Sequence, residues 1–219
     1  RDYFRSTRAH NTLEIAGQNQ SEVWSNFRVA RRARVVEVQT GCFEGVEWCA
    51  ARHDGYRCLK RGGDHLRQLV WLKPDIWIVI DEVVDARGVV YENNLHLYPD
   101  LAPKSIVDGI FKVNLTKRNL MICGFGNEKS SCKGGVIEGR RQGWYSEKFG
   151  CLRKNSVITF SGSAHGGVPF GYMICAGGSV PQISCDTTND GWTVYIVTGG
   201  NSVRLRKVRG KLSGERIRV

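Results

Sequence analysis

Short apolar or alternating runs separated by turn residues make up most of the sequence, and this pattern restricts the fold most. "ARVVEVQTG" alternates, whereas "QLVWLKPDIWIVIDEVV" has two apolar runs around a Lys73-Pro74-Asp75 turn. Similar runs recur in "NNLHLYPD", "GIFKVNL", "NSVITFSG" and "WTVYIVTGG", and no long stretch has helical periodicity. Alternation indicates half-buried strands, and continuous apolar runs indicate strands buried on both faces. The sequence predicts an all-β protein, a large antiparallel β-sandwich forming one domain over residues 1–219.

Composition narrows the classes of partner. The chain has 41% hydrophobic residues, enough for a core, and a net charge of +11 from 32 Lys and Arg against 21 Asp and Glu. This charge favours nucleic acid, acidic polysaccharide or a membrane surface as a partner, with a merely basic soluble surface as the alternative. Zinc-finger spacing, helix-turn-helix and aromatic RNA-binding motifs are missing, so we expect no nucleic-acid partner. No apolar window is long enough for a membrane span.

The eight cysteines leave two interpretations open. None of them forms a CxxC pair, which excludes a zinc ribbon or a thioredoxin-like motif. Disulfides in an oxidising compartment are one interpretation, and buried thiols acting as small hydrophobic residues are the other.

A crowded polar string, Ser6 to Thr12, precedes the strand-like Leu13 to Ile15. Strands usually follow a turn of Gly, Pro or Asn, so such a string either satisfies a buried chain end or lines a site. It contains His10, and a second polar cluster, "ARHDGYR", contains His53 with Asp54 and Tyr56. Imidazole suits zinc binding and general acid–base chemistry, although an isolated histidine in a β-protein more often has a structural role.

Two further segments carry candidate binding groups. Gln20 and Glu22 follow a turn, and an oxygen from either could complete a metal site, with simple turn chemistry as the alternative. If "NFRVARRARV" is a strand, Arg28, Arg32 and Arg34 share one face and Arg31 lies opposite. Arginine binds carboxylate and sulfate in bidentate fashion, so this stripe is a candidate site for an acidic polymer, with a solvated strand face as the alternative.

The first 35 residues, "RDYFRSTRAHNTLEIAGQNQSEVWSNFRVARRARV", resemble the start of the C-terminal β-domain of heparinase II/III-like polysaccharide lyases. This group includes heparin, heparan sulfate and alginate lyases. The likeness continues through "ARHDGYR", "WLKPDIWIVIDEV", "NNLHLYPD" and "GWYSEKFGCLRKNSVITF". The resemblance implies an α/α toroid upstream of the β-sandwich, and cleavage of uronate-containing chains by β-elimination.

The resemblance also implies roles for individual residues. His10 matches the histidine of the family's "AHNT" motif, and His53 matches that of "HDGY". A metal, zinc or alternatively calcium, is implied at His10 and His53. Relatives tend to have acids where this chain has Ala16 and Asn19, so Glu22 or Gln20 would supply the oxygen ligand. We further expect His10 and Tyr56 to be catalytic, and Asn11 to bind substrate with the arginine stripe.

The resulting expectation is the β-sandwich portion of a lyase that forms one wall of the substrate cleft. Its partners would be an acidic polysaccharide of the alginate, heparin or heparan sulfate class and the upstream toroid domain, in the periplasm or outside the cell. The chain lacks an initiator Met, so we expect it to be part of a longer protein. The alternative is a non-catalytic module that binds acidic glycans or acts as a scaffold.

Overall fold

The computed structural model describes residues 1–25, 27–177, 180–198 and 201–218. It begins with a short helix, α1 (Asp2–Arg5), and a 3₁₀ turn (Thr7–Ala9). The strands are β1 (Leu13–Ile15), β2 (Val35–Phe43), β3 (Val46–His53), β4 (Asp64–Leu72), β5 (Ile76–Val84), β6 (Arg87–His96), β7 (Lys104–Val107), β8 (Ile110–Asn114), β9 (Asn119–Phe125), β10 (Lys129–Gly134), β11 (Trp144–Tyr145), β12 (Arg153–Lys154), β13 (Ser156–His165), β14 (Phe170–Ala176), β15 (Gln182–Thr188), β16 (Gly191–Thr198), β17 (Asn201–Val208) and β18 (Lys211–Arg218). No helix in these residues is long and apolar enough to cross a membrane.

Three antiparallel sheets stack as layers, which confirms the predicted β-sandwich. The central sheet has the order β2-β3-β4-β5-β14-β9-β8-β7. The front sheet, β1-β6-β13-β10, packs on one of its faces through buried residues such as Leu95, Ile158 and Tyr172. The back sheet, β15-β16-β17-β18, packs on the other face through Trp192, Val194 and Leu205. The central sheet therefore contributes to a hydrophobic core on each side.

Strand β5 shows why the apolar runs have no alternation. It lies inside the central sheet between β4 and β14, with a sheet on each of its faces, and most of its residues are buried. The predicted pair of strands around Lys73-Pro74-Asp75 is confirmed as β4 and β5. A strand buried on both faces must be apolar throughout, apart from side chains that find polar partners.

The segment "NFRVARRARV", considered above as a possible strand, is not a strand in its described residues before Val35. The described residues between β1 and β2 form an irregular loop that folds back on itself, and an isolated bridge joins Val23 to Val29. Hydrogen bonds between Glu22 and the main chain of Ala30 and Arg31 close this loop. Because the loop is not extended, Arg28, Arg32 and Arg34 do not share a strand face.

All eight cysteines lie in the described residues, and each is a free thiol. Cys123 and Cys175 are buried in the core between the central and back sheets. Burial raises the pKa of the Cys123 thiol to about 12, so this thiol is protonated at neutral pH. For these two residues the structure supports the interpretation as small hydrophobic side chains.

Candidate active site

Three neighbouring strands place ionisable side chains on the front face of the central sheet. Antiparallel pairing sets His53 of β3 opposite His65 of β4, and Arg67 of β4 opposite Asp81 of β5. Side chains alternate between faces along a strand, so these four share a face with Val83, which packs against the front sheet. With Asn93 of β6 they form a connected cluster, which we call the His–Asp network.

Asp81 is the centre of the His–Asp network and is fully buried. It accepts hydrogen bonds from His65 Nε2 at 2.7 Å, from Arg67 Nε and Nη2 at 2.8 Å each, and from Asn93 Nδ2 at 2.7 Å. Burial alone would raise the pKa of this carboxyl. The positive charge of Arg67 and the hydrogen bond from His65 outweigh burial and hold the pKa well below its usual range. Asp81 is therefore a permanent, fully paired buried anion.

The two histidines form a chain of hydrogen bonds that fixes their tautomers. His65 donates from Nε2 to Asp81, so its Nδ1 accepts from His53 Nε2 at 3.0 Å. His53 Nδ1 in turn accepts from the Gly55 N–H at 3.1 Å. Burial, reinforced by His65, lowers the pKa of His53 to about 4, so its ring is neutral at physiological pH. Both ring nitrogens of His53 are engaged within the protein.

The network reaches the exposed segment that carries His10 and Asn11. Arg67 Nη1 donates to the main-chain oxygen of Asn11 at 2.6 Å, and Asn11 Oδ1 accepts from the His96 N–H at 2.7 Å. Asn11 is thus fixed through both its main chain and its side chain while remaining exposed. His10 is also exposed, with Nε2 3.1 Å from the main-chain oxygen of Phe4. Arg67 therefore connects the buried Asp81 to the exposed segment at His10 and Asn11 and holds that segment in place.

Most of the polar string before β1 is satisfied internally. The Thr7 N–H donates to Asn19 Oδ1 at 2.8 Å, and Thr7 Oγ1 accepts from the Gln20 N–H at 2.9 Å. Arg8 forms ion pairs with Glu14 at 3.0 Å and Glu92 at 2.8 Å. Thr7 and Arg8 thus secure the chain end, which is the first expected role of the string. His10 and Asn11 stay exposed, and their place in a site stays a prediction.

Two features of the site were not predicted from the sequence. One is the network of His65, Arg67 and Asp81, and the other is buried Glu14, which binds Arg140 at 2.7 Å as well as Arg8. The sequence does contain a signal for the network. Asp81 interrupts a largely apolar strand, and a buried charge of this kind needs partners on neighbouring strands. Arg140 is distant in sequence, so its contact depends on the tertiary fold.

The four residues proposed as metal ligands are not arranged as a metal site. The described residues contain no group of three or more His, Cys, Asp or Glu side chains that could hold a metal ion. Glu22 Oε1 accepts from Trp24 Nε1 at 2.8 Å, and both nitrogens of His53 are occupied. This arrangement of His10, His53, Glu22 and Gln20 does not fit zinc or calcium, so the metal stays a prediction without structural support.

Tyr56 is fully buried, and its hydroxyl donates to the main-chain oxygen of Leu13 at 2.7 Å. Burial, together with the nearby charge of Glu14, raises the pKa of the phenol above its usual value. A phenol without solvent contact cannot reach an external substrate in this arrangement. The catalytic role of Tyr56 therefore stays a prediction that the geometry does not support.

Arginines do gather beside the His–Asp network, although not on a strand. A surface depression of about 770 Å³ is lined by residues 29–34 with Asp54, Arg57 and Cys58. Arg32 and Arg34 belong to this lining and are exposed, whereas Arg28 is exposed outside it. Arg31 is partly buried and donates to the main-chain oxygens of Gln20 at 3.2 Å and Gly55 at 2.7 Å. We call this depression the arginine pocket.

Solved structures with the same fold include the heparan sulfate lyase HepC of Pedobacter heparinus, at 18% identity and a TM-score of 0.64. A heparinase III, the BT4657 gene product, matches at 16% identity and the same TM-score. Each match covers 100% of this chain and 31% of the other, so the chain spans about a third of these proteins. At such identities the similarity shows the fold.

No curated protein sequence matches the chain significantly. A family match does cover residues 1–205, almost the whole chain, and the family is described as heparinase II/III-like, C-terminal. The match includes the polar string, the arginine pocket and every strand of the His–Asp network. The chain therefore belongs to the heparinase II/III-like C-terminal domain family.

Proposed function

We propose that this chain is the β-domain of a polysaccharide lyase that cleaves a uronate-containing glycosaminoglycan by β-elimination. The exposed edge at His10 and Asn11 and the arginine pocket would together form one wall of the substrate cleft. The observation that carries the proposal is the bond from Arg67 to Asn11, which connects a buried charge network to an exposed polar edge. Family membership and similarity to the heparan sulfate lyase HepC support the substrate class.

β-Elimination requires three things of its site: a neutralised uronate carboxylate, a base for the C5 proton and an acid for the leaving O4. The arginine pocket offers cationic forks for the carboxylate and for sulfate groups. Asn11, held by Arg67 and His96, supplies an amide whose position is set before substrate binds. His10 is an exposed imidazole on the same edge, suited to accepting or donating a proton.

The His–Asp network would act by positioning. His53 is neutral and donates into the network, and Asp81 is fully paired, so neither is free to take a proton from substrate. Their effect on the reaction would come through Arg67 and the Asn11 main chain. The remaining catalytic groups would come from the upstream toroid domain.

A non-catalytic glycan-binding or scaffold module is the second candidate. Burial of the Tyr56 phenol and full engagement of the His53 ring favour it, because one expected catalytic group and one expected metal ligand are bonded within the protein. Such a module would retain the arginine pocket and bind acidic glycans without cleaving them.

The decisive experiment uses the full-length protein with heparan sulfate and follows the ultraviolet absorbance of the unsaturated product. We expect turnover in the unaltered protein and a large fall in kcat for Asn11→Ala. Asn114→Ala, at the exposed end of β8, is the matched control and should retain activity. Binding of heparan sulfate without product would establish the second candidate. Turnover unaffected by Asn11→Ala would remove this edge from the active site.

A further inference from the structure

The back face of the same three strands carries a second polar site. Residues adjacent in sequence to the His–Asp network point the other way, among them Arg52 of β3, Gln68 of β4 and Glu82 of β5. They line a groove of about 700 Å³ between the central sheet and the turns of the back sheet. This volume is within the range of small-molecule sites. We call it the back groove.

The strongest charges in the back groove are already neutralised by protein partners. Glu82 is buried and accepts from Lys207 Nζ at 2.7 Å and from Gln68 Nε2 at 2.8 Å. Arg52 pairs with Glu37 at 3.0 Å. A charged ligand would have to compete with these internal pairs, which favours a neutral, polar occupant.

Unpaired polar atoms are concentrated in the walls of the back groove. Arg52 Nε, Gln68 Oε1 and Trp192 Nε1 are buried and have no hydrogen-bond partner among the described residues. They make up half of the six such side-chain atoms found in that part of the chain. Buried polar atoms in native proteins are nearly always bonded. These two donors and one acceptor are covered by protein, so a ligand in the groove would pair with them only after the side chains shift.

Trp48 provides the groove with an aromatic wall. Its ring lies against Gly41 of β2, where a Cβ atom would approach the ring to 2.6 Å. Glycine at position 41 therefore lets the ring lie close to the neighbouring strand. The side chain remains partly exposed to the groove. An aromatic face beside mixed donors and acceptors suits a ring with hydroxyl groups at its rim and C–H bonds on its face.

We propose that the back groove binds a neutral saccharide of one or two pyranose units. Sugar hydroxyls both donate and accept, so they suit the accessible uncharged side chains of the lining, Gln39, Thr187 and Asn189. The C–H face of the ring can stack on Trp48. A phosphate or carboxylate ligand would face Glu37 and Glu82, which disfavours anions. The site is separated from the His–Asp network by the thickness of the central sheet, and the inference does not depend on the proposed lyase activity.

The test is calorimetric titration of the full-length protein with cellobiose, N-acetylglucosamine and glucuronic acid. We expect saturable binding of at least one of the two neutral sugars, weakened about tenfold by Trp48→Ala, the loss expected for one aromatic stacking contact. Ala50→Phe, which fills the groove without removing a polar group, should abolish binding. Trp77→Ala is the matched control, because this exposed tryptophan lies on the front face, and it should leave Kd unchanged.

Circular dichroism establishes that each variant is folded, and Ala50→Phe keeps the test decisive if Trp48→Ala does not fold. Three results would overturn the proposal: no saturable binding of either neutral sugar, binding of glucuronic acid alone, or binding that survives in folded Ala50→Phe.

Discussion

His53 and His65 are joined by a 3.0 Å hydrogen bond between Nε2 of the first ring and Nδ1 of the second. Since His65 donates its own proton to Asp81, this bond requires a proton on His53 Nε2. His53 Nδ1 accepts from the Gly55 N–H, so the ring is neutral. Protonation of His53 on Nδ1 would therefore break its bond to Gly55, at the outer end of the chain of bonds that leads to Asp81.

The first prediction concerns pH. Burial lowers the pKa of His53 from 6.5 to about 4, so between these values the unfolded chain binds a proton that the folded chain does not. Stability from this group is complete above pH 6.5 and falls as the pH drops towards 4, by at most about 3 kcal/mol. Urea unfolding from pH 7 to pH 4.5 should show this slope, reduced in His53→Gln. His96, whose pKa is also lowered by burial, would maintain part of it. An identical slope in His53→Gln would contradict the assignment.

Removing Arg67 should destabilise the fold strongly. Arg67→Ala would leave the Asp81 carboxylate without its charged partner, and breaking a buried pair in this way costs about 3–5 kcal/mol. Arg118→Ala removes an exposed arginine from its pair with Asp75 and should cost about 0–1 kcal/mol. Urea denaturation of both variants provides the comparison. Similar losses would show that burial of Asp81 does not govern the energetics.

The exposed arginines between β1 and β2, Arg28, Arg32 and Arg34, should contribute to polyanion binding. We expect Arg28→Gln, Arg32→Gln and Arg34→Gln combined to weaken heparin binding severalfold at low salt, since each exposed charge is worth about 0–1 kcal/mol. The control replaces three exposed lysines elsewhere, Lys104, Lys117 and Lys211, with glutamine, for the same change in net charge. Equal weakening in both triple variants, measured by calorimetry, would show that net charge alone is responsible.

The Tyr56 hydroxyl is expected to matter for stability and not for chemistry. Tyr56→Phe removes the donor to the Leu13 main-chain oxygen, which should cost about 1 kcal/mol. In the full-length protein kcat should be unchanged at a temperature well below the unfolding transition. A fall in kcat by orders of magnitude, with normal stability, would restore Tyr56 to the catalytic group.

The 219-residue chain by itself should show no lyase turnover. His10 and Asn11 form an edge of the β-domain, and the described residues do not enclose substrate there. Incubation of the isolated chain with heparan sulfate should give no unsaturated product, whereas the full-length protein serves as the positive control. Clear turnover by the isolated chain would show that it holds a complete active site.

Sequence patterns predicted the strands better than the site. The apolar runs of β4 and β5 specify strands because period and burial are local properties. Local composition alone did not give the structure of the arginine segment. Its residues are compatible with a strand, but Arg31 donates to the main-chain oxygens of Gln20 and Gly55 and stabilises a folded loop. The partnership of His53 with His65 depends on strand register, and the contact of Arg140 with Glu14 depends on residues 126 positions apart. Neither can be obtained from local periodicity.

Alternation along β3, β4 and β5 divides each strand between two sites. His53, His65 and Asp81 face the front, whereas their immediate neighbours Arg52, Leu66 and Glu82 face the back groove. A slip of one residue in any of these strands would exchange the two sets and place unpaired charges in both layers. An insertion or deletion within these strands would therefore abolish both polar sites at once, whereas changes in loop length would leave them aligned. Either site can therefore change through substitutions, provided that the lengths of β3, β4 and β5 stay the same.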